Sequence, residues 1–175
     1  MVDSDWAADS KHRRSVTGFA YIYAGAAILY KTRFQKAIAM SSTEAEFVAA
    51  SEAGKMGLYL RSLLADLKLD QNDATILYED NMGAYRMASA GQPTPQTRHI
   101  DIRTFALLDW VERDLIAVEH ISTTINSADI LTKSTPRILF HRHADVMLGK
   151  LRPAYLARIA RCFRYPVQPY RSHPR

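Results

Sequence analysis

The chain is poor in the residues that build several common kinds of site. Cys162 is the lone cysteine among 175 residues. A single thiol excludes an intramolecular disulfide framework and a CxxC zinc site, and it suits a reducing, intracellular compartment. No apolar run approaches the roughly 20 residues that a bilayer span requires, so membrane insertion is not expected. The opening MVDSDWAADS is acidic and has no apolar stretch behind a basic one, so no secretion signal is expected. There is no His/Cys cluster and no glycine-rich phosphate loop. Acid is scarce at one end. From Arg137 to Arg175 nine Lys/Arg stand against Asp145 alone, whereas residues 1–136 carry 14 Lys/Arg and 17 acids. A basic end on a mildly acidic body suits a polyanionic partner such as nucleic acid, and a solubilising tail would give the same pattern.

What is present is enough for one layered domain. The β-branched and aromatic stretch Thr17 to Tyr23, broken by Gly25, resumes at Ala27 to Lys31, with a third short piece expected at Ala37 to Met40. Ser41 to Leu67 reads as a long helix. Ser41 and Glu44 form an S-x-x-E capping box, and apolar residues recur near a 3.6 period from Ala49 to Leu67. Gly54 and Gly57 inside it weaken the helix or mark close packing. Thr75 to Asp80 reads as a strand, Met82 to Ala90 as a short helix, Thr97 to Arg113 as a second long helix and Leu115 to Ile121 as a strand. Asn126 or Ser127 caps a further helix, and Arg137 to Leu148 forms the next. Strands followed by alternating strands and helices indicate an α/β or α+β layered domain over 1–149. Residues 150–175 form a basic tail, expected to be partly helical or disordered; Ala154 to Arg164 has a short amphipathic pattern.

Four acids fall in suggestive places. Glu46 shares a helical face with Ala50, Ala53, Met56 and Leu60, whereas Glu44 lies about 200° away. Glu46 therefore faces the protein body, although a Thr43-x-x-Glu46 capping box would also account for it. Asp80 ends an apolar strand, where ligands gather in α/β sheets, and would serve equally as a helix cap. Asp129 sits in a first helical turn, where the helix dipole alone favours it. Asp3 and Asp5 point to one face if the N-terminus is a strand. Hard oxygen ligands contributed piecemeal by several elements suit Mg²⁺ or Mn²⁺. Clustered carboxylates repel, so without such an ion at least one pKa should rise.

The stretches DSDWAADSKHRRSVTGFAY, AMSSTEAEFVAASEAGK, LYEDNMGAY, TRHIDIR and SADILTK, in that order, resemble the ribonuclease H domain at the end of copia-type retrotransposon polyproteins. The resemblance implies an α/β, ribonuclease H-like fold with a central mixed five-stranded sheet flanked by helices. It also implies a catalytic, metal-binding set at Asp3, Glu46, Asp80 and Asp129. The implied chemistry is endonucleolytic hydrolysis of the RNA strand of an RNA–DNA hybrid with two Mg²⁺ or Mn²⁺ ions. The implied partners are the hybrid and the reverse transcriptase domain of the same polyprotein, in a cytoplasmic particle or the nucleus, with no membrane. Asn81 matches a position that would touch a 2′-hydroxyl or simply cap a helix. Arg98, His99 and Arg103 would contact the nucleic-acid backbone or pack on their helix. His120 stands near where some ribonucleases H carry a proton-shuttling histidine, and no zinc site is expected at His141 and His143.

Two departures stand out. The family usually has several apolar residues before the first aspartate; here Met1 and Val2 alone precede it, so the first strand is expected to be truncated and hardly able to form its ladder. Glu79 adds an acid beside Asp80, and strand alternation points it the opposite way. An inactive remnant that binds nucleic acid or reverse transcriptase is the alternative to an enzyme.

Overall fold

The computed structural model describes residues 1–90 and 102–151, the side chains of 102–104 excepted. Five strands and four α-helices occur in the order β1 (Val2–Asp5), β2 (Val16–Tyr23), β3 (Ala26–Phe34), α1 (Ser42–Asp66), β4 (Thr75–Glu79), α2 (Met82–Ser89), α3 (Ile102–Glu112), β5 (Ile116–His120) and α4 (Arg137–Met147). A 3-10 turn, Ser127–Leu131, stands where a capped α-helix was expected. The segment expected as a third strand at Ala37 to Met40 is not one. It leads into α1 instead: the Ala39 carbonyl accepts from the Trp6 indole at 3.0 Å, and the Met40 N–H donates to the Glu44 carboxylate at 2.7 Å.

The architecture is mixed α/β. β1, β2 and β3 form an antiparallel meander, and β4 and β5 a parallel pair. β1 lies beside β4, so the strands follow one another as β3-β2-β1, β4-β5. The five strands are laddered as three plus two, with a break between β1 and β4. The reason lies in which groups β1 turns outward. Met1 exchanges both backbone bonds with Ala20, so by antiparallel alternation Val2 and Ser4 aim their backbone groups at the other edge. There the Val2 carbonyl accepts from the Asn126 side-chain amide at 2.7 Å, and the Ser4 N–H faces the Glu46 carboxylate and favours its charged form. Side chains of the acidic region thus take the place of ladder bonds. The short first strand makes half of the ladder open to a central strand: all four residues of β1 are in register with β2, Asp3 opposite Gly18, and none is laddered to β4.

α1 starts as its capping box predicts. The Ser41 hydroxyl accepts from the Glu44 N–H at 3.1 Å, while the Glu44 carboxylate takes the N–H of Met40 rather than that of Ser41. The helix buries Ala45, Glu46, Phe47, Ala49, Ala50, Ala53 and Leu60 against the sheets. Gly57 permits close approach: a Cβ there would lie 2.6 Å from the Tyr21 hydroxyl, which donates to the Ala53 carbonyl. One core, including Phe19, Phe47, Leu77, Leu107 and Ile116, fills the space between strands and α1, α2 and α3. A smaller core of Met1, Tyr78, Ile121, Ala128 and Val146 lies under the 3-10 turn and α4. A cavity of about 220 Å³ lies near Tyr21, Leu60 and Thr75, at the start of β4 and away from Asp80. Among the described residues no helix is long and apolar enough to cross a membrane.

Gly18 connects the fold to the acids. A Cβ on it would meet Thr132 Cγ2 at 2.5 Å and Leu131 Cβ at 2.9 Å, so the end of the 3-10 turn lies directly on β2. The Thr32 hydroxyl fastens this crossing by donating to the Leu131 carbonyl at 2.9 Å. Gly18→Ala is expected to destabilise the protein by roughly 1–3 kcal/mol, the usual penalty of overpacking. Urea unfolding measures this, and an unchanged midpoint would show that the crossing is not tight.

Candidate metal centre

Four elements deliver acids to one place. Asp3 lies in β1 and is buried; Glu46 follows from the second turn of α1 and is 6% exposed. Asp80 comes directly after β4 and is half-buried. Asp129 lies in the 3-10 turn and is buried. One carboxylate oxygen from each of Asp3, Glu46 and Asp80 lies within 4.8 Å of the others. Asp129 is not in this trio. It joins Asp3 through Lys133, whose Nζ is 3.3 Å from Asp129 Oδ1 and 3.4 Å from Asp3 Oδ1. The Thr132 hydroxyl donates to the other Asp3 oxygen. The Thr123 and Asn126 side chains face Asp80 and favour its charged form.

Glu79 lies beside this group. It is fully buried, accepts from the Asn81 N–H at 2.9 Å and lies close enough to Glu46 to oppose its ionisation. Five carboxyl groups therefore share a largely dry region. Burial, then the charges of Glu79, Asp3 and Asp80, push Glu46 up to about 10. Burial raises Glu79 to about 8; the Asn81 N–H opposes that rise, and the charges of Asp80 and Asp3 add to it. Asp80 is raised by burial and by Asp3. Asp129 rises to about 6 through burial and Asp3, with Lys133 opposing. Burial alone would lower the Lys133 ammonium, and the charges of Asp3 and Asp129 more than offset it, so its pKa is raised.

This donor set fits a hard divalent cation. The trio is all carboxylate, the ligand type such ions prefer. Glu46 Oε2 is buried with no hydrogen-bond partner among the described residues, as is Glu79 Oε2, and an orphaned buried carboxylate oxygen is costly. A cation at the trio would supply what Glu46 lacks.

Of the other sequence candidates, Asn81 caps α2: its Oδ1 accepts from the Ala84 N–H at 3.0 Å and faces the Thr43 hydroxyl at 3.3 Å. Asp5 stays half-buried outside the trio. His120 ends β5, exposed, and its Nε2 donates to the Asp80 carbonyl at 3.1 Å. Arg98, His99 and the side chain of Arg103 lie outside the described residues. Sequence reading missed Thr132 and Lys133. Their spacing of three and four from Asp129 was the available signal.

The chain is 37% identical over 138 residues, 79% of its length, to the Retrovirus-related Pol polyprotein from transposon TNT 1-94 of Nicotiana tabacum. It is 29% identical over 143 residues, 82% of its length, to the polyprotein from transposon RE1 of Arabidopsis thaliana. These matches define its relatives. The chain is similar to a segment of plant retrotransposon Pol polyproteins and spans about a tenth of their length. The RNase H1 of the halophilic archaeon Halobacterium salinarum NRC-1 superposes with a TM-score of 0.48 at 14% identity, covering 75% of this chain and 90% of that one. No protein-family profile matches the chain.

The raised pKa values set a sign for pH dependence. Glu46 and Glu79 keep protons in the folded protein that the unfolded chain releases above their ordinary 4.5. Their stabilising contribution is complete below that value and is lost as pH rises toward about 8 for Glu79 and about 10 for Glu46. Thermal unfolding in a chelator should therefore show stability falling across that window. Glu46→Gln should flatten the fall, and an equally steep decline in that variant would contradict the assignment.

Proposed function

We propose that this chain is a divalent-ion-dependent endonuclease of the ribonuclease H type, which hydrolyses the RNA strand of RNA–DNA hybrids within a retrotransposon polyprotein. The observation that carries the reading is the convergence of Asp3, Glu46 and Asp80 from three elements within 4.8 Å. The similarity to Pol polyproteins supports the retroelement setting and a neighbouring reverse transcriptase domain as partner.

In this reading Asp3, Glu46 and Asp80 hold Mg²⁺ or Mn²⁺. The bound ion would lower the pKa of a water and offset charge on the scissile phosphate. Glu46 and Asp3 anchor from the buried side, and Asp3 is held by the Thr132 hydroxyl. Asp80, half-buried, is the member that a phosphodiester approaching from solvent meets. The Thr123 and Asn126 side chains favour its charged form, the form that a cation would meet. Asp129 with Asp3 would be the ligands of a second ion. Exposed His120 stands at the Asp80 carbonyl, within the same mouth.

A second reading, an inactive domain that only binds nucleic acid, is favoured by one observation: Lys133 already occupies the space between Asp3 and Asp129. Cleavage of a labelled hybrid with and without Mg²⁺ or Mn²⁺ separates the two. The enzyme reading expects metal-dependent cleavage that falls at least roughly 100-fold in Asp80→Asn, since even residues that merely support metal ligands cost 10–100-fold. Hybrid binding that weakens with salt, without cleavage in the unaltered protein, would establish the binding module instead.

A further inference from the structure

The four acids of the family pattern are not equivalent in this protein. Three of them, Asp3, Glu46 and Asp80, form a cluster within 4.8 Å. The fourth, Asp129, is separated from that cluster by an ammonium group. Lys133 Nζ sits 3.4 Å from Asp3 Oδ1 and 3.3 Å from Asp129 Oδ1. Those two carboxylates would be the ligands of a second ion, and the ammonium lies on both of them.

The local fold makes this placement reproducible. Lys133 is four residues beyond Asp129, and the Asp129 carbonyl accepts both the Lys133 N–H at 3.1 Å and the Thr132 N–H at 3.2 Å. The 3-10 turn is therefore closed down on its own end. Thr132, the preceding residue, is pressed on Gly18, directly across the β1–β2 ladder from Asp3, and donates to Asp3. Asp3 is thus held through both oxygens by consecutive residues of one turn. The Lys133 side chain remains 35% exposed, so its stem can swing toward solvent without breaking the core.

We propose that Lys133 is the resident cation of the Asp3–Asp129 half of the site, so that the protein free of nucleic acid takes a single divalent ion, at Asp3, Glu46 and Asp80. This rests on the metal reading above and refines it. A monovalent ammonium offsets the repulsion between Asp3 and Asp129 without a metal. A second divalent ion must displace it, at the cost of an ion pair that is half desolvated. A phosphate arriving at the mouth would compete with both aspartates for the same ammonium, which makes Lys133 a positioning residue that couples substrate arrival to the second ion.

Calorimetric titration of the full 175-residue chain with Mn²⁺, without nucleic acid, tests this. The unaltered protein should bind one ion. Lys133→Met keeps the apolar stem, removes the charge and should bind two. Asp129→Asn should still bind one, with affinity changed less than about threefold, because Asp129 is outside the trio. This second variant decides the matter if Lys133→Met does not fold. Two ions in the unaltered protein, one in Lys133→Met, or loss of the ion in Asp129→Asn would each overturn the role of Lys133 while leaving a metal site in place. No ion in any of the three proteins would overturn the metal reading itself and this inference with it.

Discussion

Negative charge gathered out of water is the constraint that shapes this protein. Asp3, Glu46, Glu79, Asp80 and Asp129 lie around the meeting of β1 and β4, and burial combined with mutual repulsion raises the proton affinity of four of them. A buried carboxylate must be paired, protonated or bound to a cation. Each solution is present. Glu46 and Glu79 lean toward protons, Asp3 and Asp129 toward Lys133, and Asp80 toward Thr123 and Asn126. Asn126 is the economical part of this arrangement. Its one amide caps the 3-10 turn at the Ala128 N–H, closes the outer edge of β1 at Val2 and supports Asp80.

The same constraint explains the interruption between the two ladders. On the outer edge of β1 the Asn126 amide takes the Val2 carbonyl and Glu46 faces the Ser4 N–H, where a β4 ladder would otherwise have to form. Gln35 ties in the neighbourhood from behind. Its buried side-chain amide donates to the Ala45 carbonyl in α1 at 2.8 Å and to the Thr17 hydroxyl in β2 at 3.0 Å. The helix that carries Glu46 and the sheet that carries Asp3 are thereby held as one body.

Much of this was legible in the residues, where the signal is local. The α1 capping box, the inward face of Glu46 and the placement of Asp80 at a strand end follow from helical period and strand polarity. Ala37 to Met40 failed as a strand because its residues serve the start of α1, a use that apolar content alone does not reveal. Glu79 shows what alternation leaves open. β4 ends with three successive buried residues, Leu77, Tyr78 and Glu79, so turning away from Asp80 does not mean turning toward water. Lys133 announced only its spacing from Asp129; its pairing with Asp3, 130 residues earlier, leaves no periodic trace.

That range has a bearing on how the protein comes into being. Asp3 is completed by Thr132 and Lys133, and the β1 edge by Asn126, so the first strand of the domain is finished by nearly the last of its described segments. A nascent chain still on the ribosome exposes Asp3, Glu46 and Asp80 long before their counter-charges have been translated. The acids therefore assemble late, when the 3-10 turn docks on Gly18. A chain interrupted before that turn would lack the Lys133 charge and the Thr132 and Asn126 bonds that tie β1 to the rest of the domain.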